Sequence, residues 1–118
     1  MFKIEQTVIN ENNFFQEVSK CNIPVVVEVN ADWSGGTHII QPIIKRIMSK
    51  YDQIIKFCKI NYDENINIVK KYGITKLPGI LIFMNGQLED VILGTISYSE
   101  LEKKIKSIIK KSDKKSMN

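Results

Sequence analysis

The run Val25-Val26-Val27-Glu28-Val29 constrains the fold of this chain more than any other stretch. It is continuously apolar and β-branched, with one acid inside. Such a run marks a strand covered on both faces. It breaks at Asn30-Ala31-Asp32-Trp33 into a Ser34-Gly35-Gly36-Thr37 turn. Beyond the turn, Ile39, Ile40, Ile43, Ile44, Ile47 and Met48 follow helical spacing to about Lys50. Pro42 lies inside that helix and predicts a kink. Strand, loop and helix start make a common place for chemistry. The first N–H groups of a helix are unpaired, and its dipole favours negative charge.

The remaining segments assemble around this unit. Thr7-Val8-Ile9 reads as a short strand. Asn10 is placed to cap a helix whose apolar face is Phe14, Phe15 and Val18. Ile54 to Ile60 reads as the third strand. Asp63 is placed to cap a helix through Ile66, Val69 and Lys70, closed by Gly73 in a left-handed conformation. Gly79 to Phe83 and Gln87 to Leu93 flank Asn85-Gly86, a strong hairpin signal. Ser97 or Ser99 caps a last helix with Leu101, Ile105, Ile108 and Ile109 on one face. The order β α β α β α β β α implies an α/β fold. A mixed central sheet is flanked by helices on both faces.

Composition narrows the function classes. A chain of 118 residues is one domain, large enough for a core without disulfide staples. Residues 1–111 form that domain, and the basic residues 112–118 read as a disordered tail. No apolar run is long enough for a membrane helix. The first residues lack a signal peptide's apolar region, so the expected compartment is the cytosol. The net charge of +4 is mild. Its excess near the C-terminus, from Lys103 to Lys115, has no interleaved aromatics to stack bases, so it reads as a solvated helix face. Neither a nucleic acid nor a membrane is an expected partner. Cys21 and Cys58 form no metal or redox motif, and no motif points to a cofactor.

Several pieces, in order, carry a resemblance. They are Ala31-Asp32-Trp33 before the turn, Pro42 after it, Lys59-Ile60-Asn61-Tyr62-Asp63, Lys70-Lys71-Tyr72-Gly73-Ile74, Leu77-Pro78, Phe83-Met84-Asn85-Gly86 and Gly94. From about Thr7 to Ile109 the chain resembles the thioredoxins. The resemblance implies the thioredoxin fold, with Pro78 in the cis form facing the Ser34–Thr37 turn. It places Glu28 where the family keeps a buried aspartate, with Lys59 beside it.

Thioredoxins carry Cys-Gly-Pro-Cys where this chain has Ser34-Gly35-Gly36-Thr37. Their chemistry is a low-pKa thiolate attacking a disulfide and a second thiol resolving the product. Hydroxyls form no disulfides and stay protonated at neutral pH. A helix dipole helps a thiol starting near ~8.5 and is far too weak for an alcohol. Dithiol exchange is therefore not expected at Ser34 and Thr37. Ser34 reads as an N-cap and Thr37 as a first-turn residue. Glu28 reads as a buried carboxylate stabilised by Lys59 or by the Thr37 hydroxyl. An Asp32, Ser34 and His38 triad is not expected, because residues four apart on a helix rarely aim an imidazole at a hydroxyl. Cys21 lies about six residues along the strand direction from the level of Cys58, roughly 20 Å, which is too far for a disulfide.

What the resemblance leaves is a groove. Trp33, Gly35, Gly36, Pro78, Gly79 and Gly94 are its candidate binding residues. Gly36 and Gly79 replace bulkier residues of the family, which predicts a wider, looser site. The backbone beside a cis-proline can pair with an extended peptide. The expected function is therefore binding of a protein or peptide segment, without a metal or cofactor. One alternative is a thiol–disulfide oxidoreductase, and another is a structural assembly domain. No feature specifies an oligomeric state.

Overall fold

The computed structural model describes residues 5–116. The elements are β1 (Thr7–Ile9), a π-helical turn (Phe15–Ser19), β2 (Val25–Asn30), α1 (Gly35–Tyr51), β3 (Lys56–Asn61), α2 (Ile66–Lys71), β4 (Gly79–Met84), β5 (Gln87–Leu93) and α3 (Tyr98–Ser116). The strands form one sheet in the order β1-β3-β2-β4-β5. β1, β3 and β2 are parallel, and β4 runs antiparallel to both β2 and β5.

The valine run becomes β2 at the centre of this sheet. Val25, Val27 and Val29 face one side, in a core with Ile9, Val18, Cys58, Ile60, Val69, Leu81 and Phe83. Val26 faces the other side, in a core with Ile40, Ile44, Ile47, Phe57, Ile80, Leu101 and Ile105. The π-helical turn and α2 cover the first face; α1 and α3 cover the second. Each fully buried aliphatic side chain contributes about 1.5–3 kcal/mol relative to exposure. The two faces together explain why a strand without alternation is stable here.

Local chemistry fixes the joints. Ser34 caps α1, its Oγ accepting from the Thr37 N–H at 3.3 Å. α1 continues through Pro42 to Tyr51. Gly73 ends α2 with a positive φ. Its N–H donates to the Lys70 carbonyl, and the Ile74 N–H donates to the Val69 carbonyl, the pattern of a Schellman cap. α1 meets α3 where the Tyr51 hydroxyl and the Lys50 ammonium both donate to Glu102, at 2.7 and 2.6 Å. The Lys50 ammonium, then the Tyr51 hydroxyl, hold the Glu102 carboxyl below its usual range.

Three sequence expectations change. The first helix is a π-helical turn, in which the Lys20 N–H donates to the Phe15 carbonyl at 3.0 Å. Asn10 caps the turn before it, accepting from the Asn12 and Asn13 N–H groups. Phe14 and Val18 point inward, but Phe15 is 64% exposed. Asp63 does not cap α2, whose N-cap is Asn65; its carboxylate is drawn to Trp33 instead. Residues 112–116 are not a disordered tail, because α3 runs to Ser116. Helix propagation past the packed Ile105 and Ile108 costs little once the helix is nucleated. Residues 117–118 lie outside the described residues.

The β4–β5 turn has Asn85 and Gly86 at φ 51° and 79°, as a type I′ hairpin requires. A methyl group on Gly86 would lie 2.6 Å from the Ser19 carbonyl oxygen. Gly86→Ala should therefore lower the unfolding free energy by roughly 2 kcal/mol or more. Gly35, which has nothing within 4 Å of an added methyl, should tolerate alanine within about 0.5 kcal/mol. Urea denaturation of the two variants checks the contrast.

Candidate functional site

The loop between β2 and α1 sets Trp33 on the surface, 67% exposed. Its indole N–H donates to Asp63 Oδ2 at 2.7 Å, and its ring meets Tyr62 edge-on at 6.1 Å. Tyr62 and Asp63 follow β3, and the Tyr62 N–H donates to the Asn30 carbonyl at 2.8 Å. The ends of β2 and β3 thus fix the indole. Trp33, Ser34, Tyr62, Thr75, Lys76 and Leu77 surround a shallow recess of about 240 Å³.

The hydroxyls of the turn are occupied by the backbone. Ser34 and Thr37 are both buried. Ser34 Oγ accepts from the Thr37 N–H, and Thr37 Oγ1 accepts from the Ala31 N–H at 3.3 Å. Together they stitch the loop to the first turn of α1. His38 is exposed, with Nε2 2.8 Å from the Asp32 carbonyl oxygen. Its ring is bonded to backbone, not to Ser34, so no Ser–His pair forms.

The Leu77–Pro78 peptide bond is cis. Pro78 is buried, and its carbonyl accepts from the Gly94 N–H at 2.8 Å. A methyl on Gly36 would lie 2.7 Å from Pro78 Cδ and 3.0 Å from the Leu77 carbonyl oxygen. Gly36 therefore lets the turn close on Pro78. Gly79 lies in β4, where a methyl would meet the Ile74 side chain at 3.1 Å; it borders the core and not the recess. The expected wide and loose site is thus a tight one: both glycines remove bulk so that neighbouring groups can come closer. Gly35 is exposed at the start of α1. The backbone N–H groups of Thr75, Lys76 and Leu77 donate to no other group among the described residues.

Glu28 is fully buried beneath this region. Its carboxylate accepts from Gln6 Nε2 at 2.8 Å and from Gln41 Nε2. Neither expected partner reaches it. Lys59 is opposite Glu28 in the β2–β3 register but is solvent-exposed and makes no ion pair with it, and Thr37 is bound to Ala31. Two neutral amides take the place of water around the carboxylate. They come from the residue before β1 and from α1, elements with no sequence signal linking them to Glu28. Tyr62, Asp63, Thr75 and Lys76 were also missed. Asp63 read as a cap and the others as connections, so only the folded β3 end brings them to Trp33.

Comparison with known proteins follows the same outline. The thioredoxin family model matches residues 5–107. A thioredoxin from Porphyra purpurea is 34% identical over 101 residues, covering 86% of this chain and 94% of its own length. The thioredoxin of Pseudomonas aeruginosa is 33% identical over 93 residues, 79% of this chain and 86% of its own. The chloroplastic M-type thioredoxin of Pisum sativum is 34% identical over 105 residues, 89% of this chain and 61% of its own length. Among the described residues no helix is long and apolar enough to cross a membrane.

Both cysteines are free thiols. Cys58 is in the core, and Cys21 packs against the same cluster. Burial pushes the Cys58 thiol up to about 12 from 9.0. Iodoacetamide near pH 8 should alkylate Cys21 and spare Cys58 until the protein unfolds; equal labelling in the folded state would contradict the burial. Between pH 9.0 and about 12 the folded state keeps a proton that the unfolded state has lost. The thiol's contribution to stability is complete below that window and is lost as pH rises through it. Cys58→Ala should flatten this part of the stability profile.

Proposed function

Since the chain belongs to the thioredoxin family, we propose that it is a member without dithiol chemistry, which binds an extended protein or peptide segment beside Pro78. The observation that carries this reading is the state of the turn. Ser34 and Thr37, which the resemblance sets at the positions of the family's thiols, are both buried, and their hydroxyls accept backbone hydrogen bonds. An alcohol there supplies neither a nucleophile at neutral pH nor a resolving thiol. Parts suited to recognition are present: an exposed indole, a recess, and a Thr75–Leu77 segment whose backbone N–H groups have no partner among the described residues. A fixed indole is a low-entropy anchor for such a partner.

The free thiols fit a reducing compartment, and the cytosol is the location we propose. A second reading, thiol–disulfide oxidoreductase, is favoured by the name thioredoxin among the relatives. It requires a thiol supplied by Cys21, by Cys58 or by a partner.

Two measurements decide. In a disulfide-reduction assay with a dithiol-regenerating system, the protein should stay at background, and the double variant Ser34→Cys with Thr37→Cys should gain turnover. Turnover by the unaltered chain comparable to that of a Cys-Gly-Pro-Cys protein would defeat the binding-only reading. In parallel affinity captures, Trp33→Ala should lose the partners that the unaltered chain retains. An unchanged set of partners would remove the recess as the binding surface.

A further inference from the structure

A second cleft, of about 300 Å³, lies between the π-helical turn and α2 and shares no lining residue with the Trp33 recess. Its floor is aromatic. Phe14 stacks on Tyr72 at 5.7 Å, and both rings meet Phe83 edge-on, at 5.6 and 5.4 Å. Phe15, the next residue, is turned to the outside of the π-helical turn and left exposed at the cleft's lip. An unusual helical register is often kept where a side chain must be re-aimed.

The rim is cationic. Lys20 Nζ lies 5.6 Å from the centre of the Phe15 ring, and Lys71 Nζ 5.4 Å from that of Tyr72. Neither lysine forms an ion pair among the described residues. Of the two acids nearby, Glu17 is charge-paired, whereas Glu11 lines the cleft and keeps its charge. Glu11 accepts from the N–H and the side-chain amide of Asn67, and Glu17 pairs with Lys56. The volume suits one large side chain, at the small end of ligand sites. Lys20 and Lys71 outnumber the one uncompensated carboxylate, Glu11, so the charge that complements the rim is negative.

We propose that this cleft is a docking site for an acidic peptide segment of a partner protein, one that carries an aromatic side chain between carboxylates. The aromatic side chain packs on Phe14, Phe15 and Tyr72, and the flanking carboxylates meet Lys20 and Lys71. This site is independent of the Trp33 recess and stands or falls separately from it.

The test is titration of the isotope-labelled full chain with the capped peptide Glu-Asp-Glu-Phe-Glu-Asp-Glu, followed by amide chemical shifts. Shifts should concentrate at Phe15, Ser19, Lys20, Lys71 and Tyr72. Phe15→Ala should weaken binding about tenfold, and Lys20→Glu or Lys71→Glu about threefold to tenfold each. These side chains are exposed or at the rim, so the variants should fold. Trp33→Ala should leave the affinity unchanged, and replacing the peptide's Phe with Ala should abolish binding. Any of four results overturns the proposal: no shifts at millimolar peptide, shifts confined to Thr75–Leu77, equal binding of a peptide with Lys for every acid, or a concentration-dependent dimer lost in Phe15→Ala. The last would make the cleft a contact between copies of this chain.

Discussion

β2 is paired along both edges and covered on both faces, and every other element takes its place from that strand. Its register with β3 sets where Asn61 and Tyr62 emerge. Its register with β4 sets where Gly79, and so Pro78, stands relative to the loop that leaves β2. The recess is therefore built where three central strands begin or end, at one end of the sheet. A one-residue slip in β2 would exchange its two faces and bring Glu28 into the aliphatic core.

Glu28 shows what such a strand can carry. A carboxylate removed from water needs replacement hydrogen bonds. Here two glutamine amides supply them, from opposite sides of the strand's neighbourhood. The acid thereby ties the segment before β1 and the second turn of α1 to the central strand. A longer side chain than aspartate is suited to reaching both.

Much of the fold was legible in the chain because its signals are local. The valine run, the Asn85-Gly86 hairpin, Ser34 as a cap and Gly73 as a helix terminator each depend on a few neighbouring residues, and each appears in the structure. What was not legible depends on residues distant in sequence. Phe14 and Phe15 look equivalent in a helical pattern, and only the π-helical register separates them. Asp63 has the chemistry of a cap, but a tryptophan thirty positions away claims it. Gly36 and Gly79 suggested space, whereas missing side chains in a packed molecule are filled by neighbours drawing in. The Glu28 amides could not be found from spacing, since Gln6 and Gln41 share no element with it.

The stitched hydroxyls at Ser34 and Thr37 have a consequence in time rather than in space. A dithiol turn has two covalent forms, and the supply of electrons decides which one a partner meets. This turn has no disulfide form, and its two hydroxyls are held by two backbone N–H groups of its own chain. On the reading proposed above, its shape is set once, at folding, whatever the supply of electrons.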